Sequence, residues 1–263
     1  MTEVSAEIRT ARDEAGVLTI TLDRPERLNA LGVAATEALC RAIAGAADAR
    51  VVIIRGTGRA FSAGADLKER RAMDEAARRA HNRLINAAVD ALAALPMPTI
   101  AALNGLALGG GCEIALACDL RVSADTSTIG LTEARIGAIP GAGGTQRLPR
   151  VVGTSLALEL MFTAEPVTAA RALEIGLVNR VVPAALLEEE VARLAALIAS
   201  RAPGAVALIK RVARQGMERG LADGLVLERE ALASVLGSED YAEGLAAFAE
   251  RRPPRFGARR GPA

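Results

Sequence analysis

Strand-like and helix-like stretches alternate along this chain until about residue 202, and then the strand signals stop. In 17–22 apolar residues alternate with Thr19 and Thr21, the period-two pattern of a half-buried strand. Residues 51–55 open on Val-Val-Ile-Ile, a β-branched run that reads as a buried strand, and 98–103 and 120–123 are shorter candidates. Between them Leu84, Ile85, Ala88, Val89, Leu92 and Leu95 recur at helical spacing, and Pro96 ends the pattern. From Pro203 three helical stretches follow, about 203–216, 221–236 and 239–250, closed by Pro253-Pro254. The pattern predicts an α/β core over 1–202 and a helical region over 203–263. Leu225, Leu232, Val235, Leu236, Leu245 and Phe248 of that region need a surface to bury against, either their own core or a partner subunit.

Composition narrows the function classes. The chain is 51% hydrophobic but only 2% aromatic, so its core is mainly Ala, Leu, Val and Ile. Its 32 basic and 31 acidic residues leave a net charge of +1, which argues against an extended surface for nucleic acid or anionic membrane but not against a local anion pocket. No apolar run approaches the ~18 residues that span a bilayer. The first residues contain acids and no long apolar region, unlike a signal or transit peptide. Cys40, Cys112 and Cys118 show no metal or redox spacing and are expected as reduced thiols of a cytoplasmic protein. His81 is the one histidine, which excludes a zinc site with several His ligands. It lies in the polar run Arg78-Arg-Ala-His-Asn-Arg83 and is expected on a helix surface.

Two glutamates stand at the edges of glycine-rich segments. Glu113 follows Leu108-Gly-Gly-Gly-Cys, where three glycines expose backbone at the start of a buried helix. Glu133 precedes the loop of 139–149, Ile-Pro-Gly-Ala-Gly-Gly-Thr-Gln-Arg-Leu-Pro. Paired carboxylates beside bare N–H groups can move protons while the amides hold a developing oxyanion. Each could also be a helix-dipole acid. A third segment, Phe61-Ser-Ala-Gly-Ala-Asp-Leu-Lys68, reads as a strand-to-helix turn with Asp66 capping a helix from about Leu67. Neither the P-loop nor the dinucleotide-binding glycine pattern fits these loops.

Together the motifs resemble the enoyl-CoA hydratase/isomerase (crotonase) superfamily, over nearly the whole chain. The strongest parts are Phe61-Ser-Ala-Gly-Ala-Asp-Leu-Lys68, Gly105-Leu-Ala-Leu-Gly-Gly-Gly-Cys-Glu113, the 139–149 loop and Glu243-Gly-Leu-Ala-Ala-Phe-Ala-Glu-Arg-Arg-Pro253. The resemblance implies a spiral of ββα turns with a C-terminal helical trimerisation region, assembled as a homotrimer or homohexamer. It implies an acyl-CoA thioester as substrate, with no separate cofactor and no metal. Ala65 and Gly110 would supply the oxyanion amides, Glu113 the base, Glu133 the acid, and Gly141 a backbone position that holds the water. Arg27, Leu28, Ala30, Ala63, Asp66, Leu67 and Lys68 would bind coenzyme A. Phe248 and Arg251 would reach the coenzyme A of a neighbouring subunit, Arg251 standing where the family commonly has Lys.

The implied activity is reversible hydration of a 2-enoyl-CoA, with a place in β-oxidation or branched-chain amino-acid degradation. The runs Gly64-Ala-Asp-Leu-Lys-Glu-Arg70 and Ala115-Leu-Ala-Cys-Asp-Leu-Arg-Val122 look most like 3-methylglutaconyl-CoA hydratases. Double-bond isomerisation is the alternative, and the isomerases generally keep one of the two glutamates. A non-enzymatic alternative is RNA binding through Arg70, Arg71, Arg78, Arg79 and Arg83, whose run is interrupted by Asp74 and Glu75. Acyl-pocket walls are expected around Met73, Leu84, Leu131 and Phe162.

Overall fold

The computed structural model describes residues 2–5 and 7–257; Met1, Ala6 and 258–263, which the two expected regions include, lie outside the described residues. Strands β1 (Thr2–Ser5), β2 (Ile8–Arg12) and β3 (Val17–Leu22) form an antiparallel meander before helix α1 (Val33–Ala44). A unit of two strands and helix then recurs. β4 (Val51–Gly56) and β5 (Ala60–Ser62) lead into α2 (Leu67–Ala72) and α3 (Glu75–Ala94). β6 (Thr99–Leu103) and β7 (Leu106–Leu108) lead into α4 (Gly110–Ala117). β8 (Leu120–Ala124) and β9 (Thr128–Gly130) lead, through a 3-10 turn at Glu133–Ile136, into α5 (Gly144–Val152) and α6 (Thr154–Thr163). β10 (Val167–Thr168), α7 (Ala169–Glu174), β11 (Arg180–Val182) and α8 (Leu187–Ala199) complete the core.

In each unit the first strand joins one sheet and the second strand another. The larger sheet is ordered β1-β2-β3-β4-β6-β8-β11 and the smaller β10-β9-β7-β5. From β3 to β11 the larger sheet is parallel, as helical crossovers require. Both of its faces are covered, which explains why the Val-Val-Ile-Ile run has no polar alternation. Val52 and Ile54 point to a core shared with α1, α3 and α4, while Val51 and Ile53 face α8. The repeating ββα unit is the architecture expected from the sequence.

Helix boundaries follow local chemistry. Asp66 caps α2 by accepting from the amides of Lys68 and Glu69, both at 3.1 Å, and Asp74 caps α3 through Ala77 at 2.7 Å. α3 ends at Ala94, just before Pro96. His81 departs from expectation: it is 2% exposed, because α3 turns it onto the same face as Ile85 and Ala88. Spacing of four and seven residues overrides the polar neighbours in sequence.

The helical tail consists of α9 (Pro203–Gly216), α10 (Leu221–Leu236) and α11 (Glu239–Ala249), close to the expected stretches. Two cations tie α9 to the core. Lys210 Nζ meets Asp119 at 2.7 Å and donates to the Met97 carbonyl at 2.9 Å; Arg214 meets Asp119 at 2.7 Å and donates to the Ala93 carbonyl at 2.6 Å. The end of the described chain returns to the core, where Arg50 donates to the carbonyls of Phe256 and Gly257 at 3.0 and 2.9 Å. Much of the tail's apolar surface stays open: Leu221 is 81%, Phe248 86% and Leu232 56% exposed. Among the described residues no single helix is long and apolar enough to cross a membrane.

Candidate active site

The site assembles around the first turn of α4. Gly109, with φ of +51°, turns the chain from β7 into the helix, and its amide donates to the Gly130 carbonyl at 2.9 Å. Gly64, with φ of +83°, packs against the same point: a Cβ there would stand 2.7 Å from the Leu108 carbonyl oxygen and 2.8 Å from the Gly110 nitrogen. Only glycine lets the two backbones approach this closely. Beside it, Leu31 and Ala65 form a parallel bridge in which Leu31 donates to Gly64 and accepts from Asp66. The amide of Ala65 therefore points away from Leu31. Neither it nor the amide of Gly110 has an acceptor among the described residues, and the Ala65 nitrogen lies 3.6 Å from the Cβ position of Gly110. Two free donors, one of them at a helix N-terminus, make an anion or oxyanion cradle.

The two glutamates flank that cradle in different environments. Glu113, in the first turn of α4, is buried, and its Oε1 accepts from the amides of Ala142 at 2.6 Å and Gly144 at 2.8 Å. Gly144 has no room for a side chain there, since a Cβ would meet Pro140, Leu131 and Glu113 Oε1 at 2.7 to 3.0 Å. Burial pushes the Glu113 carboxyl above its ordinary range, while the Gly144 and Ala142 amides pull it back. Glu133 opens the 3-10 turn after β9, with its Oε1 3.1 Å from the Cβ position of Gly109. Its Oε2 is buried without a hydrogen-bond partner among the described residues. Burial first, and then the charge of Glu113, push Glu133 up to about 7. Two amides favour the ionised form of Glu113, whereas the buried Oε2 of Glu133 has no donor among the described residues.

The expected coenzyme A residues fall into two groups. Leu28 and Asn29 both adopt left-handed backbone, which folds the 27–31 segment along 62–66. Ser62 Oγ donates to the Asn29 carbonyl at 2.8 Å, and the Ala63 amide donates to the Leu28 carbonyl at 2.9 Å. This brings Arg27, Leu28 and Ala30 beside Ala63, Asp66, Leu67 and Lys68. Arg27 and Lys68 are exposed, and Leu67 is 52% exposed. Asp66 is buried, with its carboxylate committed to the α2 cap and to Arg24 at 3.3 Å, its amide donating to Leu31 and its carbonyl accepting from Arg70. Phe248 on α11 and Arg251, in left-handed backbone just beyond it, belong to the tail, and nothing in the single chain covers Phe248.

Gly141 lies on the loop that holds Glu113, next to Ala142, with the side-chain amide of Asn82 3.6 Å from its Cβ position. Leu131 of the expected pocket walls is buried beside Gly144, whereas Phe162 is 73% exposed. The residues missed from sequence are Ala142 and Gly144, which act through their amides, and the trio of Arg70, His81 and Asn82. Arg70 donates from Nε to His81 Nδ1 at 3.4 Å and from Nη2 to Asn82 Oδ1 at 3.2 Å. It lies within electrostatic reach of both glutamates. Burial, and then Arg70, push the His81 pKa down, so the imidazole is neutral at pH 7. A cleft of about 1320 Å³ lies elsewhere, between the end of α3 and the tail helices, and carries none of this chemistry.

A family model described as Enoyl-CoA hydratase/isomerase matches residues 12–259 of the chain. Enoyl-CoA hydratase domain-containing protein 2, mitochondrial, of Mus musculus is 43% identical over 251 residues, spanning 92% of this chain and 84% of that protein. Methylglutaconyl-CoA hydratase, mitochondrial, of Mus musculus is 39% identical over 268 residues, spanning 97% and 84%. The crystal structure of enoyl-CoA hydratase from Bacillus anthracis superposes with a TM-score of 0.94 at 43% identity, covering 96% of this chain and 100% of that one.

Proposed function

The chain belongs to the enoyl-CoA hydratase/isomerase family, and we propose that within it the protein adds water reversibly across the double bond of a 2-enoyl-CoA thioester. The observation that carries this reading is the opposite setting of the two glutamates. Glu113 has Oε1 fixed by two amides that favour its ionised form against the push of burial; Glu133, whose pKa burial pushes up to about 7, is suited to keep a proton. An isomerase needs one carboxyl to shuttle a proton between carbons, and the second glutamate is then idle.

In the forward direction the thioester oxygen sits between the amides of Ala65 and Gly110. Glu113 takes a proton from water as its oxygen bonds to Cβ, and the electron pair of the double bond moves to form the thioester enolate. Glu133 then returns a proton to Cα, giving the 3-hydroxyacyl thioester. On this reading the amide of Gly141, on the loop whose Ala142 amide holds Glu113, holds the water. Each oxyanion donor contributes ~2.7–4 kcal/mol of transition-state stabilisation in comparable sites. Coenzyme A runs along the paired 27–31 and 62–68 segments, with Arg27 and Lys68 for its phosphates. The same reading makes the working enzyme a cytoplasmic homotrimer or homohexamer, in which Phe248 and Arg251 reach a neighbour's coenzyme A. The open apolar face of the tail supports that assembly. The RNA-binding alternative loses support because Arg70 turns inward and Arg79 pairs with Glu75 at 2.6 Å.

The test is loss of enoyl-thioester absorbance with crotonyl-CoA, with product analysis on a 3-enoyl-CoA. Formation of 3-hydroxyacyl-CoA supports hydration; migration of the double bond without added water replaces it with isomerisation.

A further inference from the structure

The loop that holds Glu113 is itself held from α3. Arg147, on α5, donates from Nη1 to the Ala142 carbonyl at 2.9 Å and from Nη2 to Asp90 Oδ1 on α3 at 2.9 Å. Ala142 is the residue whose amide donates to Glu113 Oε1 at 2.6 Å, and the Gly144 amide donates to the same oxygen at 2.8 Å. One residue thus gives its N–H to the proposed base and its carbonyl to Arg147. The sequence makes room for this. Gly143 has φ of +95°, and a Cβ there would run into the Arg147 guanidinium. The first glycine of Gly143-Gly144 admits the guanidinium, and the second admits the Glu113 carboxylate.

Stability does not account for the Arg147–Asp90 pair. The Asp90 side chain is 72% exposed, and ion pairs this open add little to a fold. What the pair fixes is direction: a planar fork with one arm on Asp90 has its other arm set. On the other side of Ala142, the side-chain amide of Asn82, also on α3, lies 3.6 Å from the Cβ position of Gly141. α3 therefore brackets the 141–144 segment from Asn82 and, through Arg147, from Asp90. The Arg147 charge works in the same sense on the base. Burial raises the Glu113 carboxyl, and the Gly144 and Ala142 amides, followed by Arg147, draw it back.

We propose that Arg147, aimed by Asp90, is a positioning residue for the proton-accepting glutamate: by holding the Ala142 carbonyl it sets the Ala142 and Gly144 amides that fix Glu113 against the attacking water. This rests on the hydratase reading and deepens it. Two reactions of the same site then separate. Hydration needs Glu113, because a proton must leave the water as its oxygen bonds to Cβ. Exchange at Cα of a saturated thioester does not. There ionised Glu133 takes a Cα proton, the Ala65 and Gly110 amides hold the enolate, and a deuteron from solvent returns to Cα through Glu133.

The experiment measures kcat for hydration of crotonyl-CoA, and the rate of deuterium exchange into butyryl-CoA in D2O, for the wild type, R147M, D90A and the double variant. R147M should lose about 100-fold in hydration, the scale of a base displaced by about 1 Å, while exchange changes by less than about threefold. D90A keeps the Arg147 charge and removes only its anchor, and should lose about tenfold in hydration alone. The double variant should be no slower than R147M, because Asp90 acts only through Arg147. Equal losses in both reactions would mean that Arg147 merely holds the site together. Full hydration by D90A would mean that its charge matters and its position does not, and independent losses would uncouple Asp90 from Arg147. Each of these results overturns the proposal. If R147M fails to fold, the exposed D90A decides by the same split between the two reactions. A wild type that exchanges Cα protons but adds no water overturns the hydratase reading and the proposal with it, whereas a hydrating wild type beside unaffected variants overturns the proposal alone.

Discussion

At the scale of single residues the account turns on where one proton resides. Glu133 needs its proton to act as the acid, and its carboxyl is pushed up to about 7. Activity in the hydration direction, followed as kcat/KM, should therefore fall as pH rises through about 7, reporting the free enzyme. The same shift has a stability consequence of defined sign. A carboxyl whose folded pKa lies above its unfolded value binds more protons in the native state, so stability declines as pH rises between the two. For Glu133 the window runs from 4.5 to about 7. Thermal melts of E133Q should show a smaller decline across that window than the wild type; an identical decline would mean that Glu133 is not held protonated. Sequence exposed the glutamates because each sits beside glycines with few other polar groups near it. It hid Arg70 and His81 among polar neighbours on two successive helices. The one available signal was that His81 lies four residues before Ile85, on the stripe that α3 buries.

Elements explain why the cradle is built from small residues. β5, β7 and β9 are three residues each and pair in parallel, so the turns that follow them stack. Gly64 after β5 and Gly109 after β7 meet at that stack, and this contact sets the spacing of the Ala65 and Gly110 amides. Gly64→Ala places a Cβ against Leu108 and Gly110 backbone in a conformation that non-glycine residues avoid. It should lower kcat by about 10²–10³, the cost of misplacing one oxyanion donor. A G64A enzyme with normal kcat would detach the cradle from catalysis. Strands this short carry no readable alternation, and 3-residue pairing depends on partners distant in sequence. The long buried strands and capped helices were legible because burial on both faces, Asp74 and Pro96 leave local marks.

For the whole molecule, the α/β core and the helical tail have different needs. The core buries its apolar residues on both sides of the large sheet, but Leu221, Leu232, Leu245 and Phe248 on the tail remain more than half exposed. In the proposed assembly this is the face that meets a neighbouring subunit. Light scattering should give three or six times the 27.2 kDa chain mass, and a monomer at micromolar concentration would remove the neighbour's contribution through Phe248 and Arg251. Sequence located these apolar residues but could not choose between their own core and a partner, because periodicity reveals that a face is apolar and not what covers it.

The most direct test of the central claim is turnover of crotonyl-CoA to 3-hydroxybutyryl-CoA by the wild type, E113Q and E133Q at pH 7. If the two glutamates divide the work of base and acid, each variant loses about 10²–10⁴ in kcat while keeping its fold and its affinity for a saturated acyl-CoA. Wild-type turnover in both variants would contradict the account.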